Sequence, residues 1–181
     1  ILGLEVLRPQ TVEKLGHSVG PSIQELLTAD TLQFGRSAPD WETAVEVCCT
    51  PLLKNNSITG QYVEAIKNLI RQHGPYMVLS PGVVLLHAMT GFGVNKVCMS
   101  LTTFQPPIKF GHTYNDPVFL GFVIGSPDDH SHLPSLRQLS KLLEDKTLMQ
   151  SFRLPSSEQE LGIFVERSLL DKFPKAEAVI H

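Results

Sequence analysis

The pattern of apolar and polar positions divides the chain into helical flanks around a strand-rich middle. From Ser22, the residues Ile23, Leu26 and Leu27 recur at helical spacing, and Leu32-Gln33-Phe34 reads as a short strand. Asp40 stands where it can cap a helix that keeps Trp41, Ala44, Val45, Cys48 and Leu52 on one face. Thr59 is placed to cap a second helix, with Tyr62, Ile66, Leu69 and Ile70 inward and Gly74-Pro75 as its stop.

The period then changes. Residues 76–79, 83–87, 97–104 and 118–124 are short apolar or alternating runs rich in β-formers, punctuated by Pro81-Gly82, Pro106-Pro107 and Asn115-Asp116-Pro117. Helical spacing returns at Leu133, Leu136, Leu139, Leu142 and Leu143. Ser157-Glu158-Gln159-Glu160 has the form of a capping box that opens a last helix through Phe164, Leu169 and Leu170. Helices before and after a cluster of short strands predict one α/β domain with helices packed against a small sheet.

Bulk properties narrow the function. A chain of 181 residues, 42% hydrophobic and 18% charged, buries one sizeable core and is not of the disordered class. The net charge is −3 with no basic block, which argues against a direct nucleic-acid surface. The longest apolar runs, near 77–79 and 83–86, are far too short to enter and cross a bilayer. The first residues carry Glu5 and Arg8 and no small-residue cleavage pattern, unlike a signal peptide. Of the three cysteines, Cys48 and Cys49 are adjacent and no CxxC pair exists, so reduced, buried thiols of a cytosolic protein are the expectation.

Seven histidines are present, and His87 has the most unusual setting: it closes a run, Gly82 to Leu86, without another polar side chain. An imidazole there either has a dedicated hydrogen-bond partner in the core or lies at the mouth of a strand, where reactive groups collect. His132 precedes a leucine-periodic helix with Pro134 in its first turn, so it is either a solvated cap or a group facing an anion at the helix N-terminus. His130 and His132 would share one side of an extended segment. Only Asp128 and Asp129 lie near enough in sequence to join them, too few ligands for a closed zinc site, and a metalloenzyme or hydrolase built on them is disfavoured. His17, His73, His112 and His181 read as surface residues.

The stretch from Arg71 through His73-Gly-Pro-Tyr76 and Gly82 to His87-Ala88 resembles the active-site segment of type-2 enzyme IIA domains of the bacterial sugar phosphotransferase system. The His-Gly-Pro-Tyr form is similar to the ascorbate branch and to enzyme IIA-like domains of sugar-responsive transcription regulators. Further segments match in order: Gly93-Val-Asn-Lys96, Pro107-Ile-Lys-Phe110, Asn115-Asp-Pro-Val118, Asp128 to Leu133, and Leu136-Arg-Gln-Leu139. The likeness runs from about residue 22 to 171. It implies a leader or linker at 1–21, an enzyme IIA domain at 22–175 and a tail at 176–181, the domain being a small mixed sheet flanked by helices.

What the resemblance implies is a phosphoryl carrier. His87 would accept the phosphate, His132 would be its neighbour in the site, and Arg71 a phosphate-binding cation. The implied partners are the histidine-containing phosphocarrier protein as donor and an enzyme IIB domain as acceptor, in the cytoplasm and without a cofactor or metal. Two departures stand out: Leu86 replaces the family's usual proline before the histidine, and Met89-Thr90 replace a frequent Arg-Pro after it. Together with the first residue, Ile1, and the roughly twenty residues before Ser22, these departures suggest a regulatory domain of a multidomain transcription regulator; a free-standing transport component is the alternative.

Overall fold

A capping box opens the first helix, the Ser22 hydroxyl accepting from the Glu25 amide while the Glu25 carboxylate accepts from the Ser22 amide at 2.9 Å. The computed structural model describes residues 19–174; most of the expected leader, and the expected tail, lie outside the described residues. In chain order the elements are α1 (Ile23–Leu26), a 3-10 turn (Ala29–Thr31), β1 (Leu32–Arg36), α2 (Trp41–Lys54), α3 (Gly60–His73), β2 (Val78–Ser80), β3 (Val83–Leu86), β4 (Cys98–Ile108), β5 (Val118–Gly125), α4 (Leu133–Glu144), α5 (Lys146–Ser151) and α6 (Glu158–Lys172).

The helix ends follow the local chemistry in most places. Asp40 caps α2, its carboxylate accepting from the Thr43 amide at 2.8 Å. Thr59 occupies the cap position of α3, but its side chain makes no capping hydrogen bond. Ser157 accepts from the Glu160 amide at 3.1 Å, whereas the Glu160 carboxylate turns to the amide and hydroxyl of Ser156 at 2.8 and 2.7 Å. Only half of the expected capping box forms there. The helix α5 was not foreshadowed by the apolar spacing; Asp145 caps it, accepting from the Leu148 amide at 3.0 Å.

The five strands form one mixed sheet in the order β1-β4-β5-β3-β2. β1 runs parallel to β4, β4 antiparallel to β5, β5 parallel to β3, and β3 antiparallel to β2. β4 is longer than expected and continues through Pro106 and Pro107 to Ile108. Its register with β5 breaks between Thr103 and Ile108, so the exposed prolines sit in an irregular stretch where no ladder N–H is needed.

Helices cover both faces. α2 and α3 pack on one side, where Val84, Leu86 and Val123 meet Cys48, Leu52, Ile66 and Ile70. α1, α4, α5 and α6 pack on the other, where Val83, Leu85, Leu120 and Phe122 meet Leu139, Met149, Leu161 and Val165. A strand buried on both faces has no polar side to show, which is why β3 and β5 read as near-continuous apolar runs.

Candidate functional site

Parallel neighbours end at the same rim of a sheet. β3 and β5 pair from Val83↔Leu120 to Leu86↔Val123, so the segments that follow them leave the sheet side by side. In α/β sheets this rim, outside the carboxyl ends of the strands, is the usual ligand site. His87 lies one residue beyond β3, at the strand's mouth and half-buried. Leu85 belongs to the α4 side of the sheet, and Leu86 and Ala88 to the α2/α3 side. The alternation therefore puts residue 87 on the face that α4 covers.

The His87 ring is oriented by backbone and by an aromatic neighbour. Its Nδ1 lies 2.9 Å from the Leu85 carbonyl oxygen. A carbonyl only accepts, so Nδ1 carries the proton and the in-plane lone pair of the neutral ring is on Nε2. Tyr76 meets the ring edge-on, centroids 6.3 Å apart, and His73 meets Tyr76 in the same way at 6.1 Å. The resemblance put both residues in the active-site segment, while the apolar spacing placed Tyr76 in a strand and His73 read as a surface residue.

The loop after His87 is laced to the loop after β5. The Ala88 amide donates to the Tyr62 hydroxyl at 3.1 Å, and that hydroxyl donates to the Ile124 carbonyl. The Gly91 amide donates to the Ser126 carbonyl at 2.9 Å, and the Thr90 hydroxyl bonds the Asp129 carboxylate. Gly93 adopts φ 76° with its Cβ position 2.7 Å from the Tyr62 amide nitrogen, so neither its dihedral nor its space admits a side chain. Tyr62 was legible as an inward helix residue; the signal for its second role is that a buried phenol needs a hydrogen-bond partner.

His132 is the cap residue of α4, and its carbonyl accepts from the Leu136 amide at 2.8 Å. The residue is only 6% exposed, and its Nδ1 is buried without a hydrogen-bond partner. Burial holds its pKa below the ordinary value against the opposing pull of Asp128 and Asp129, so the ring is neutral at pH 7. The Asp128 carboxyl is held down to about 2 by the Ser131 hydroxyl and by the amides of Ser131 and His130. His130 is 76% exposed while His132 is buried, so the two imidazoles do not share one side as an extended segment would require. Among the described residues no group of three or more His, Cys, Asp or Glu is placed to hold a metal.

Arg71 sits in the last turn of α3 and is already engaged. Its Nε donates to Glu42 of α2 at 3.0 Å, and its guanidinium also bonds Asn68 at 2.9 Å and approaches Glu64 at 3.8 Å. On the α3 side of the segment that follows His87, an open groove of about 470 Å³ runs between α3 and residues 88–92, lined by Ala65, Leu69, Gln72, Met89 and Phe92 among others. Met89 and Phe92 are 62% and 59% exposed, so the groove has an apolar lip.

Residues 25–167 match the family described as phosphoenolpyruvate-dependent sugar phosphotransferase system, EIIA 2. The chain belongs to this enzyme IIA family. It is 33% identical to the mannitol-specific cryptic phosphotransferase enzyme IIA component of Escherichia coli (strain K12) over 131 residues, 72% of this chain and 88% of that protein. The solution structure of the E. coli mannitol-specific cryptic enzyme IIA superposes with a TM-score of 0.74 at 29% identity, covering 81% of this chain and 99% of that one. The ascorbate-specific EIIA component of Shigella boydii is 30% identical over 139 residues, 76% of this chain and 90% of that protein. An E. coli mannitol enzyme IIA, solved in complex with phosphorylated enzyme IIB, shares the fold at 18% identity and a TM-score of 0.64, covering 78% and 99% of the two chains. The enzyme IIA architecture expected from the sequence is thus the one observed. No helix among the described residues is long and apolar enough to cross a membrane.

Proposed function

We propose that this enzyme IIA domain carries a phosphoryl group on Nε2 of His87, taking it from the phosphohistidine of a phosphocarrier protein and passing it to the cysteine of an enzyme IIB domain. The observation that carries the reading is the Nδ1–H···O=C bond to Leu85, which sets the tautomer a nucleophilic Nε2 needs. In the forward step the Nε2 lone pair forms a bond to phosphorus as the donor's N–P bond breaks, its electrons returning to the donor imidazole. The Leu85 carbonyl then faces the positive charge that develops on the phosphorylated ring. In the second step a thiolate of enzyme IIB attacks phosphorus, and His87 leaves as the neutral imidazole.

His132 would assist as a neutral donor. With its proton on Nε2, the unpartnered Nδ1 is a bare acceptor, and the Nε2–H is available to a phosphoryl oxygen. Arg71 would contribute by exchanging Glu42 for the phosphate, a trade of one anion for another. Exposed, apolar Met89 and Phe92, shortly after the histidine in the chain, suit a docking lip for these protein partners, and a cytoplasmic location is the one such partners call for. The relatives named above are free-standing components, which favours a transport role; the regulator reading draws on Met89 and Thr90 in place of Arg-Pro and is decided by whether the open reading frame encodes further domains.

The test is direct. Incubation with phosphoenolpyruvate, enzyme I and the phosphocarrier protein is expected to give one acid-labile phosphate that maps to His87, and His87→Ala is expected to abolish it while circular dichroism stays unchanged. Labelling that survives this substitution overturns the assignment.

A further inference from the structure

Gly20 lies against the backbone of the residue that precedes His132. A Cβ at this position would stand 2.1 Å from the Ser131 carbonyl oxygen, 3.1 Å from its carbonyl carbon and 3.4 Å from Cδ of Pro134. Non-bonded heavy atoms settle at about 3.5–4.0 Å, so no side chain fits unless the Ser131 peptide or the exposed backbone at residue 20 moves. The glycine is required by space, because its φ lies outside the left-handed region.

The Ser131 peptide has little room to move. Its amide and hydroxyl bond the Asp128 carboxylate at 2.7 and 2.6 Å. One residue on, the His132 carbonyl accepts from the Leu136 amide and from the Ser135 hydroxyl at 2.8 and 3.0 Å. The segment is thus held by Asp128 behind and by the first turn of α4 ahead, and the exposed Gly20 lies alongside it. By contrast the neighbouring Val19 is 93% exposed.

We propose that Gly20 is a positioning residue for His132: the chain entering the domain fixes the Ser131–His132 peptide, and through it the imidazole beside the phosphoryl acceptor. The proposal rests on reading His132 as part of the phosphoryl site. A displacement of about 1 Å in a group that orients a reacting atom can lower rates roughly a hundred-fold. Gly20→Ala is therefore expected to slow phosphorylation of His87 by roughly ten- to a hundred-fold, with the sheet intact.

The experiment uses the full chain, with nitrogen-15 imidazole spectra and phosphoryl-transfer rates on wild type, Gly20→Ala, Pro21→Gly and Val19→Ala. Gly20→Ala is expected to shift the His132 ring resonances and its titration midpoint, leave the His73 and His112 rings unmoved, and slow transfer. Pro21→Gly adds no Cβ at position 20 but loosens the entering backbone, so it is expected to move the same resonances less; it decides the matter if Gly20→Ala does not fold. Val19→Ala is expected to match wild type in both readouts. A folded Gly20→Ala with wild-type His132 resonances, or a Pro21→Gly without effect when Gly20→Ala is unfolded, overturns the proposal. Should wild type itself take no phosphate, the carrier reading falls, while the His132 resonances still decide the role of Gly20.

Discussion

The backbone amide of Ala88 donates to the phenolic oxygen of Tyr62 across 3.1 Å, tying the residue after His87 to the first turn of α3. The same phenol reaches the Ile124 carbonyl in β5, so one side chain fixes the ends of both strands that frame the site. Tyr62→Phe keeps the ring but leaves an amide and a carbonyl unpaired in the interior. The expected cost is about 1–3 kcal/mol of stability, read by urea unfolding, together with slower labelling of His87. A variant as stable as wild type would mean that the loop finds other partners.

Met89 stands two residues after His87 and is largely exposed. Met89→Arg therefore disturbs no packing and adds a cation close in sequence to the proposed acceptor, His87. A charge-assisted hydrogen bond is worth about 1.5–3 kcal/mol, so the phosphorylation rate is expected to rise by roughly ten-fold or more. Quench-flow labelling with the phosphocarrier protein measures it; an unchanged or lower rate would place residue 89 away from the phosphate.

Burial depresses the His132 pKa, and this has a definite sign in the pH dependence of stability. The unfolded chain takes up a proton near pH 6.5, before the folded one does. The stabilisation is complete above that pH and is lost as pH falls from there towards the folded value. Melting temperature between pH 7.5 and 5 is expected to fall more steeply for wild type than for His132→Gln. Asp40, Asp128 and Asp145, whose carboxyls are also held low, act only below about pH 4 and do not blur this window.

All three cysteines are buried, and burial pushes Cys48 and Cys98 up to about 12 and Cys49 well above its usual value. The reactive thiolate is then scarce at pH 8. The native protein is expected to resist a thiol reagent at that pH and to expose all three sulfurs when urea is added. Rapid labelling of the native state would reveal an opening of the α2 layer.

Much of this architecture could be read from residue order because neighbouring side chains decide it. Asp40, Gly74 and the leucines of α4 signalled their helices locally, and the apolar runs of β3 and β5 announced covered strands. His87 stood out because no other polar side chain shares its run. What escaped notice depends on contacts distant in sequence: Tyr76 against the His87 ring, Tyr62 bridging two loops, Gly20 against Ser131. The length of β4 was missed because its two prolines occupy a bulge, and the expected pairing of His130 with His132 failed because the segment bends at Asp128. Arg71 was recognised as a cation, but its engagement by Glu42 lies on another helix and leaves no mark near residue 71.

The pairing of β3 with β5 spans the whole of β4, so neither histidine has its setting until a long stretch of chain has been synthesised and closed. A nascent or truncated chain that stops before Val118 has a His87 but no rim to hold it. On the role proposed for His87, such a fragment would not divert phosphate from the donor pool, and acquisition of an acid-labile label would report, molecule by molecule, that folding has finished.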